Sequence, residues 1–118
     1  MRNDESRIQR ACVRWWRLQY PHHAALLFSV PNGGARNVVT ASIIKAEGAV
    51  RGVADLILFV PRGGFHALCI EMKTPKGRQS PHQKEWQRIV EAQGYRYIVV
   101  RSVAEFIEQV TRYFGLPP

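Results

Sequence analysis

Two neighbouring β-rich segments, residues 55–60 and 65–73, constrain the fold of this chain more than any other feature. Their sequences are DLILFV and FHALCIEMK, and PRGG at 61–64 separates them. Apolar runs of this length, bounded by Gly and Pro, predict two antiparallel strands joined by a tight loop. We expect this hairpin to form the centre of a sheet, although each strand carries an acid.

The acids, Asp55 and Glu71, occupy strand positions where apolar side chains are expected. Strand alternation puts Glu71 and Lys73 on the same face. If Asp55 lies opposite Glu71 across the hairpin, residues 61–65 form the loop, whereas a slip of one residue would move Asp55 to the other face. The predicted register therefore gathers two carboxylates and one ammonium group.

Such a cluster is costly without a counter-charge. A buried unpaired carboxylate costs several kcal/mol or becomes neutral, and two adjacent carboxylates repel each other. Mg²⁺ or Mn²⁺ between Asp55 and Glu71, with the Met72 carbonyl as a further ligand, would remove that cost. Lys73 would then orient a water and offset charge developing on a phosphate. A salt-bridge cluster without metal is the alternative, and these residues alone leave both interpretations open.

The rest of the chain is predicted to alternate helices and strands around this hairpin. Periodicity and caps indicate helices over 4–20, 38–47, 80–94 and 102–114, and strands over 26–30 and 95–100. Capping boxes are predicted at Ser80 and Ser102. The inward stripes are predicted to comprise Ile8, Ala11, Cys12, Trp15 and Leu18 in the first helix and Trp86, Ile89 and Val90 in the third.

Composition indicates an intracellular protein with an anionic partner. With 118 residues the chain suits one domain, 1–118, and its formal net charge of +8 favours nucleic acid, although solubility alone is the alternative. Cys12 and Cys69 are predicted to be reduced core thiols. A polar N-terminus and the lack of a bilayer-length apolar run predict a soluble intracellular protein without membrane contact.

Further polar residues are placed by pattern near the cluster. Glu5 lies close to the apolar stripe of the first helix, where a helix-dipole role is the alternative. Gln83 is third in its capping box, on the side of Trp86. Basic residues surround this helix start and are candidates for phosphate contacts, with a solvated surface as the alternative: Lys76, Arg78, His82, Lys84 and Arg88.

The order of these motifs resembles the PD-(D/E)XK nuclease superfamily and, within it, the stand-alone VRR-NUC domain. The set comprises Glu5, Ile8 and Gln9, then PNGG at 31–34, Gly48 and Gly52 before Asp55, Glu71 with Lys73, and Ser80, Gln83, Trp86 and Gly94. Ala54 departs from the family's Pro, which supplies no ligand.

The resemblance implies an α/β fold with a restriction-endonuclease-like αβββαβ core, in which helices flank a mixed central sheet. It implies that Asp55 and Glu71 are metal ligands, Lys73 the catalytic lysine, Gln83 the helix glutamine and Glu5 the N-terminal helix acid. The implied activity is metal-dependent hydrolysis of DNA.

The family's small viral and bacterial members resemble homodimeric junction-resolving enzymes. The resemblance therefore implies a homodimer that acts on branched DNA such as four-way (Holliday) junctions, in the bacterial cytoplasm or a phage-infected cell. The interface candidates are Trp15, Trp16 and Tyr113. The alternatives are a nuclease for flaps or other duplex DNA, and a noncatalytic nucleic-acid-binding module.

Overall fold

The computed structural model describes residues 2–31 and 38–118 of the chain. Most of the predicted PNGG turn, from Asn32 to Gly34, lies outside the described residues. The helices are α1 (Arg2–Gln19), α2 (Val38–Ala46), α3 (Pro81–Ala92) and α4 (Val103–Phe114), and the strands are β1 (Leu27–Ser29), β2 (Leu56–Leu58), β3 (Leu68–Met72) and β4 (Arg96–Val100). A 3₁₀ helix, Pro21–Leu26, joins α1 to β1 and was not predicted.

The four strands form one mixed sheet in the order β1-β2-β3-β4. The β1/β2 and β2/β3 pairs are antiparallel, and the β3/β4 pair is parallel. The parallel pair needs a crossover, and α3 supplies it. The predicted α/β architecture, a mixed sheet flanked by helices with the hairpin at its centre, is confirmed.

Two clusters of buried side chains cover the two faces of the sheet. On one face, Cys12 and Trp16 of α1 pack with Phe106 of α4 against strand residues such as Ile70. On the other face, α3 packs against a smaller cluster that contains Cys69. Cys12 and Cys69 are buried free thiols, as predicted. The two faces therefore separate α1 and α4 from α3.

The hairpin has the predicted register but not the predicted loop. Ile57 lies opposite Cys69 and Leu58 opposite Leu68, which is the alignment that sets Asp55 against Glu71. The ladder ends there, because the Val60 amide donates back to the Leu58 carbonyl at 2.9 Å and turns the chain out of the sheet. The connection is therefore longer than the five-residue loop over 61–65.

Several predicted inward positions are wrong. Leu18 is 74% exposed and Ala11 is also exposed, because the buried stripe of α1 follows Cys12 and Trp16, and Leu18 lies two residues past Trp16 on the other side of the helix. Ile89 is 46% exposed, since α3 packs through the neighbouring Trp86 and Val90.

Two of the three interface candidates lie in the core. Trp16 is fully buried and donates its indole N–H to the His23 carbonyl at 3.1 Å. Tyr113 is buried and donates its hydroxyl to the Val60 carbonyl at 2.6 Å. Trp15 is half-buried against the same core. No helix among the described residues combines the length and apolarity of a membrane span.

Candidate active site

Asp55 is held at one end of the sheet by the strands on either side of it. It directly precedes β2, and its carbonyl accepts the Val30 amide at 2.9 Å. Its carboxylate Oδ2 accepts the Met72 amide at 2.7 Å. Since the amide and carbonyl of one strand residue point to the same side, the Met72 carbonyl also faces the Asp55 side of β3. Backbone hydrogen bonds thus set the position of this carboxylate.

Glu71 is buried, and both of its carboxylate oxygens have donors. It is 1% exposed. Oε2 accepts from Gln83 Nε2 at 2.7 Å, and Oε1 accepts from the Tyr97 hydroxyl at 3.1 Å. Lys73 Nζ lies 3.7 Å from Oε2, and the lysine side chain is only 12% exposed. These three donors satisfy the oxygens of a carboxyl group that is buried in the interior.

The two carboxyl groups lie close enough to influence each other's protonation. The pKa of Glu71 is raised to about 8, mainly by burial and secondly by the negative charge of Asp55, while the positive charge of Lys73 opposes the shift. Burial also raises the pKa of Asp55, against the hydrogen bond from Met72. Without metal, a proton on Glu71 relieves the repulsion between the two groups.

This donor set suits a divalent cation. A cation between Asp55 and Glu71 would take the place of the proton that Glu71 retains, and carboxylate oxygens are the ligands that Mg²⁺ prefers. Among residues 2–31 and 38–118, no group of three or more His, Cys, Asp or Glu side chains is arranged to hold a metal. A site of two carboxylates nonetheless fits Mg²⁺, which keeps several waters and shares substrate phosphate oxygens.

The start of α3 is attached to Glu71 through Gln83. Ser80 caps the helix, with its Oγ accepting the Gln83 amide at 3.2 Å, and Gln83 Oε1 accepts the Ser80 amide at 2.8 Å. The predicted capping box is therefore present. Because the carbonyl oxygen of Gln83 serves the cap, its NH₂ group is left to donate to Glu71.

Gly52 lets the chain pass close to this helix start. It has φ +85°, and a Cβ at this position would lie 2.3 Å from the His82 carbonyl oxygen. The sequence suggested a flexible entry between Gly48 and Gly52. The structure shows instead that Gly52 packs directly against the backbone of His82, and that any residue with a Cβ would clash there.

Glu5 is not gathered with the other acids. It is half-buried near the start of α1. That helix packs on the sheet face opposite Glu71, where Cys12 and Trp16 meet Ile70. Since no three acids cluster among the described residues, its role at the site stays a prediction.

The five predicted DNA-contact residues, Lys76, Arg78, His82, Lys84 and Arg88, are all exposed. Four lie with no acidic partner among the described side chains, but Arg88 pairs with Glu85 at 2.5 Å. They border the turn after β3 and the first part of α3, where helix amides favour anions.

Sequence reasoning missed two residues that support the site. Tyr97 on β4 donates to Glu71, and its hydroxyl also accepts from Gln79 Nε2 at 3.3 Å. Arg101 Nη1 donates to the Thr74 and Gly77 carbonyls at 2.8 and 2.6 Å and so braces the turn after Lys73. An inward tyrosine needs a hydroxyl partner, which was the available signal for Tyr97. Arg101 gave none.

Comparisons with known proteins point to one family. The VRR-NUC domain model matches residues 3–104. A solved structure described as a VRR_NUC domain protein is 25% identical with a TM-score of 0.84, and the match covers 96% of this chain and 89% of that chain. A comparison with curated proteins finds no match.

Proposed function

The chain belongs to the VRR-NUC domain family, and from this premise and the geometry of Asp55, Glu71 and Lys73 we propose that it is a metal-dependent endonuclease of branched DNA. Family membership implies a nuclease-type function with DNA as substrate. The observation that carries the proposal is the pairing of two inward carboxyls across the hairpin, with Asp55 held by the Met72 amide and the Lys73 ammonium 3.7 Å from Glu71 Oε2.

In this proposal the carboxylates of Asp55 and Glu71 and the Met72 carbonyl hold Mg²⁺ or Mn²⁺. When bound, such an ion supplies a Lewis acid for the scissile phosphate and an acidified water as nucleophile. Lys73 orients that water and offsets the negative charge that develops on the phosphate. Gln83 and Tyr97 keep Glu71 in place through their hydrogen bonds.

Phosphate contacts from the start of α3 would hold the DNA. Lys76, Arg78 and Lys84 are exposed on the turn that follows Lys73 and on the first turn of α3, which carries Gln83, and the first amides of the helix add positive potential. The net charge of +8 supports binding to a polyanion. Arg88 contributes less in this proposal, because Glu85 neutralises it.

The preference for branched DNA rests on symmetry. A four-way junction is resolved by two cuts on opposing strands, and one chain carries one cluster of this kind among its described residues. A twofold homodimer supplies two such sites without a longer chain. Trp16 and Tyr113 cannot serve at its interface without leaving the core.

Cleavage assays on labelled four-way junction, flap and linear duplex test this function. We expect the junction to be cut with Mg²⁺ or Mn²⁺ and not with EDTA. Asp55→Asn and Lys73→Ala should abolish cutting, whereas Glu108→Gln, which removes a remote exposed acid of α4, should not.

Each other outcome removes a defined part of the proposal. Equal cutting by all variants would exclude the site. A preference for duplex would remove only the branched substrate. DNA binding without cutting under any metal would indicate a noncatalytic module.

A further inference from the structure

The outward face of α1 carries a stripe of one charge. Arg7, Arg10, Arg14 and Arg17 are all exposed and fall within about a quarter of the helix circumference. Solvated helix faces usually mix both signs. Here no Asp or Glu occurs anywhere between Glu5 and Glu47 in the sequence. The stripe is therefore a concentrated positive surface.

Three of these arginines lack an acidic partner. Arg7 pairs with Asp4 at 2.9 Å. Within the described part of the chain, Arg10, Arg14 and Arg17 make no ion pair. Elsewhere Arg88 pairs with Glu85, so local neutralisation does occur on this protein.

The unpaired arginines line a groove between α1 and the edge strand β1. Its volume is about 470 Å³. Arg10, Arg14, Arg17, Gln9 and Ser29 form its polar walls, and Val13, Leu18, Leu27 and Phe28 form its apolar walls. We call it the arginine groove. Guanidinium groups donate to phosphate oxygens in bidentate geometry, and Gln9 and Ser29 add neutral donors.

The arginine groove lies with α1 on the sheet face opposite Glu71, and its Ser29 end reaches the end of the sheet at which Asp55 lies. Ser29 pairs with Leu56, which directly follows Asp55, and the next residue, Val30, donates its amide to the Asp55 carbonyl at 2.9 Å. Between Arg10 and Arg17 the helix rises about 10 Å. One DNA strand carries a phosphate per about 3.4 Å of axis, so the arginines span roughly three phosphates.

We propose that the arginine groove binds the sugar–phosphate backbone of a DNA arm that extends from the active site. The identity of the ligand as DNA rests on the proposed function. The groove would extend the phosphate contacts of the α3 start to a second helix, away from the reacting phosphate. It would strengthen binding and orient the arm without taking part in hydrolysis.

A charge-matched pair of variants tests this surface. Arg14→Gln/Arg17→Gln removes two groove charges, and Arg96→Gln/Arg112→Gln removes two charges elsewhere. Arg96 starts β4 at the sheet end away from Glu71, and Arg112 pairs with Glu108. Binding to a fluorescent four-way junction is measured by anisotropy in EDTA, after circular dichroism has shown that both variants fold.

We expect the groove variant to bind about tenfold more weakly at 0.1 M salt. Its slope of log K against log salt should fall by about two, one for each lost phosphate contact. The control should change affinity by less than about threefold, because neither of its arginines lines the groove and Arg112 is already paired with Glu108. Equal affinity of groove variant and wild type, or an equal loss in the control, would overturn the proposal.

A scan of neutral methylphosphonates along the arm locates the contact. We expect one window of about three phosphates at which the neutral substitution lowers the DNA affinity of the wild type. The same substitution should have little further effect on the DNA affinity of the groove variant. Absence of such a window would also overturn the proposal. Binding is measured in EDTA, without cleavage. A protein that never cuts DNA can therefore still confirm the groove, and a protein that cuts DNA can still fail this binding test.

Discussion

Gln83 and Glu71 are joined by a hydrogen bond of 2.7 Å from the glutamine Nε2 to the carboxylate Oε2. The same glutamine closes the capping box of α3 by accepting the Ser80 amide. One side chain therefore fixes both the start of a helix and the orientation of a candidate metal ligand.

Because Gln83 has both roles and Ser80 only one, Gln83→Ala and Ser80→Ala should differ in their effect on cleavage. Ser80→Ala should lower the free energy of unfolding by about 1 kcal/mol through loss of the cap, and leave cleavage close to wild type. Gln83→Ala should cost a similar amount of stability and also reduce cleavage, because Glu71 loses a donor. Urea denaturation and single-turnover cleavage measure the two effects. Equal cleavage by both variants would contradict a positioning role for Gln83.

The raised pKa of Glu71 predicts a pH-dependent stability of the metal-free protein. The folded state retains a proton up to about pH 8, whereas the unfolded chain releases it near 4.5. The folded state thus binds more protons between these values, and the free energy of unfolding should fall as pH rises through this window. Denaturation in EDTA from pH 5 to pH 8.5 measures the slope. Glu71→Gln should flatten it, and an unchanged slope would count against the assignment.

Metal binding should stabilise the folded state by mass action. Mg²⁺ or Mn²⁺ at millimolar concentration should raise the Tm of the wild type, and EDTA should reverse the rise. Asp55→Asn should keep the Met72 hydrogen bond, relieve repulsion with Glu71, and lose the metal-induced shift. Glu108→Gln is the control and should keep it. A full shift in Asp55→Asn would place the metal elsewhere.

Substitutions at two glycines with positive φ distinguish the stability cost of backbone strain from the added cost of a steric clash. Gly48 has φ +109° and open space around it, so Gly48→Ala should cost about 1 kcal/mol. Gly52→Ala would also drive a Cβ against the His82 carbonyl and should cost about 3 kcal/mol. Chemical denaturation gives both values, and equal costs would rule out the tight contact.

Arg101 should support the turn after Lys73 from outside the site. Arg101→Lys cannot reproduce the donation to the Thr74 and Gly77 carbonyls and should lower the free energy of unfolding by about 1–2 kcal/mol. Affinity for DNA should also fall, because this turn carries Lys76. Arg96→Lys is the matched control, expected to leave both properties unchanged, and identical behaviour of the two variants would contradict the bracing role.

Much of the site followed from local sequence patterns. Strand alternation and turn residues predicted the hairpin register, and with it the approach of Asp55 and Glu71. Ser80 and Gln83 predicted their capping box by spacing alone. At α4 the pattern succeeded in part. Ser102 Oγ accepts the Glu105 amide, but the Glu105 carboxylate accepts the Arg101 amide at 2.7 Å and not the Ser102 amide that would complete the box.

The predictions of side-chain burial were wrong at positions where a neighbouring helix or strand decides whether the residue is exposed. Leu18 and Ile89 have apolar spacing but lie outside the stripes through which α1 and α3 meet the sheet. Trp16 and Tyr113 were interface candidates and are core residues, since α4 closes over α1 on that face.

The sequence by itself determined which strands form, which faces their acids take and where the helices begin, because these depend on periodicity and on contacts within a few residues. Only the tertiary structure decided that Tyr97 and Gln83 would both reach Glu71, that Arg101 would brace a turn 24 residues earlier at Gly77, and that Glu5 would stand apart. Those contacts join residues that are distant in the chain, so they depend on how sheet and helices pack and leave no local pattern.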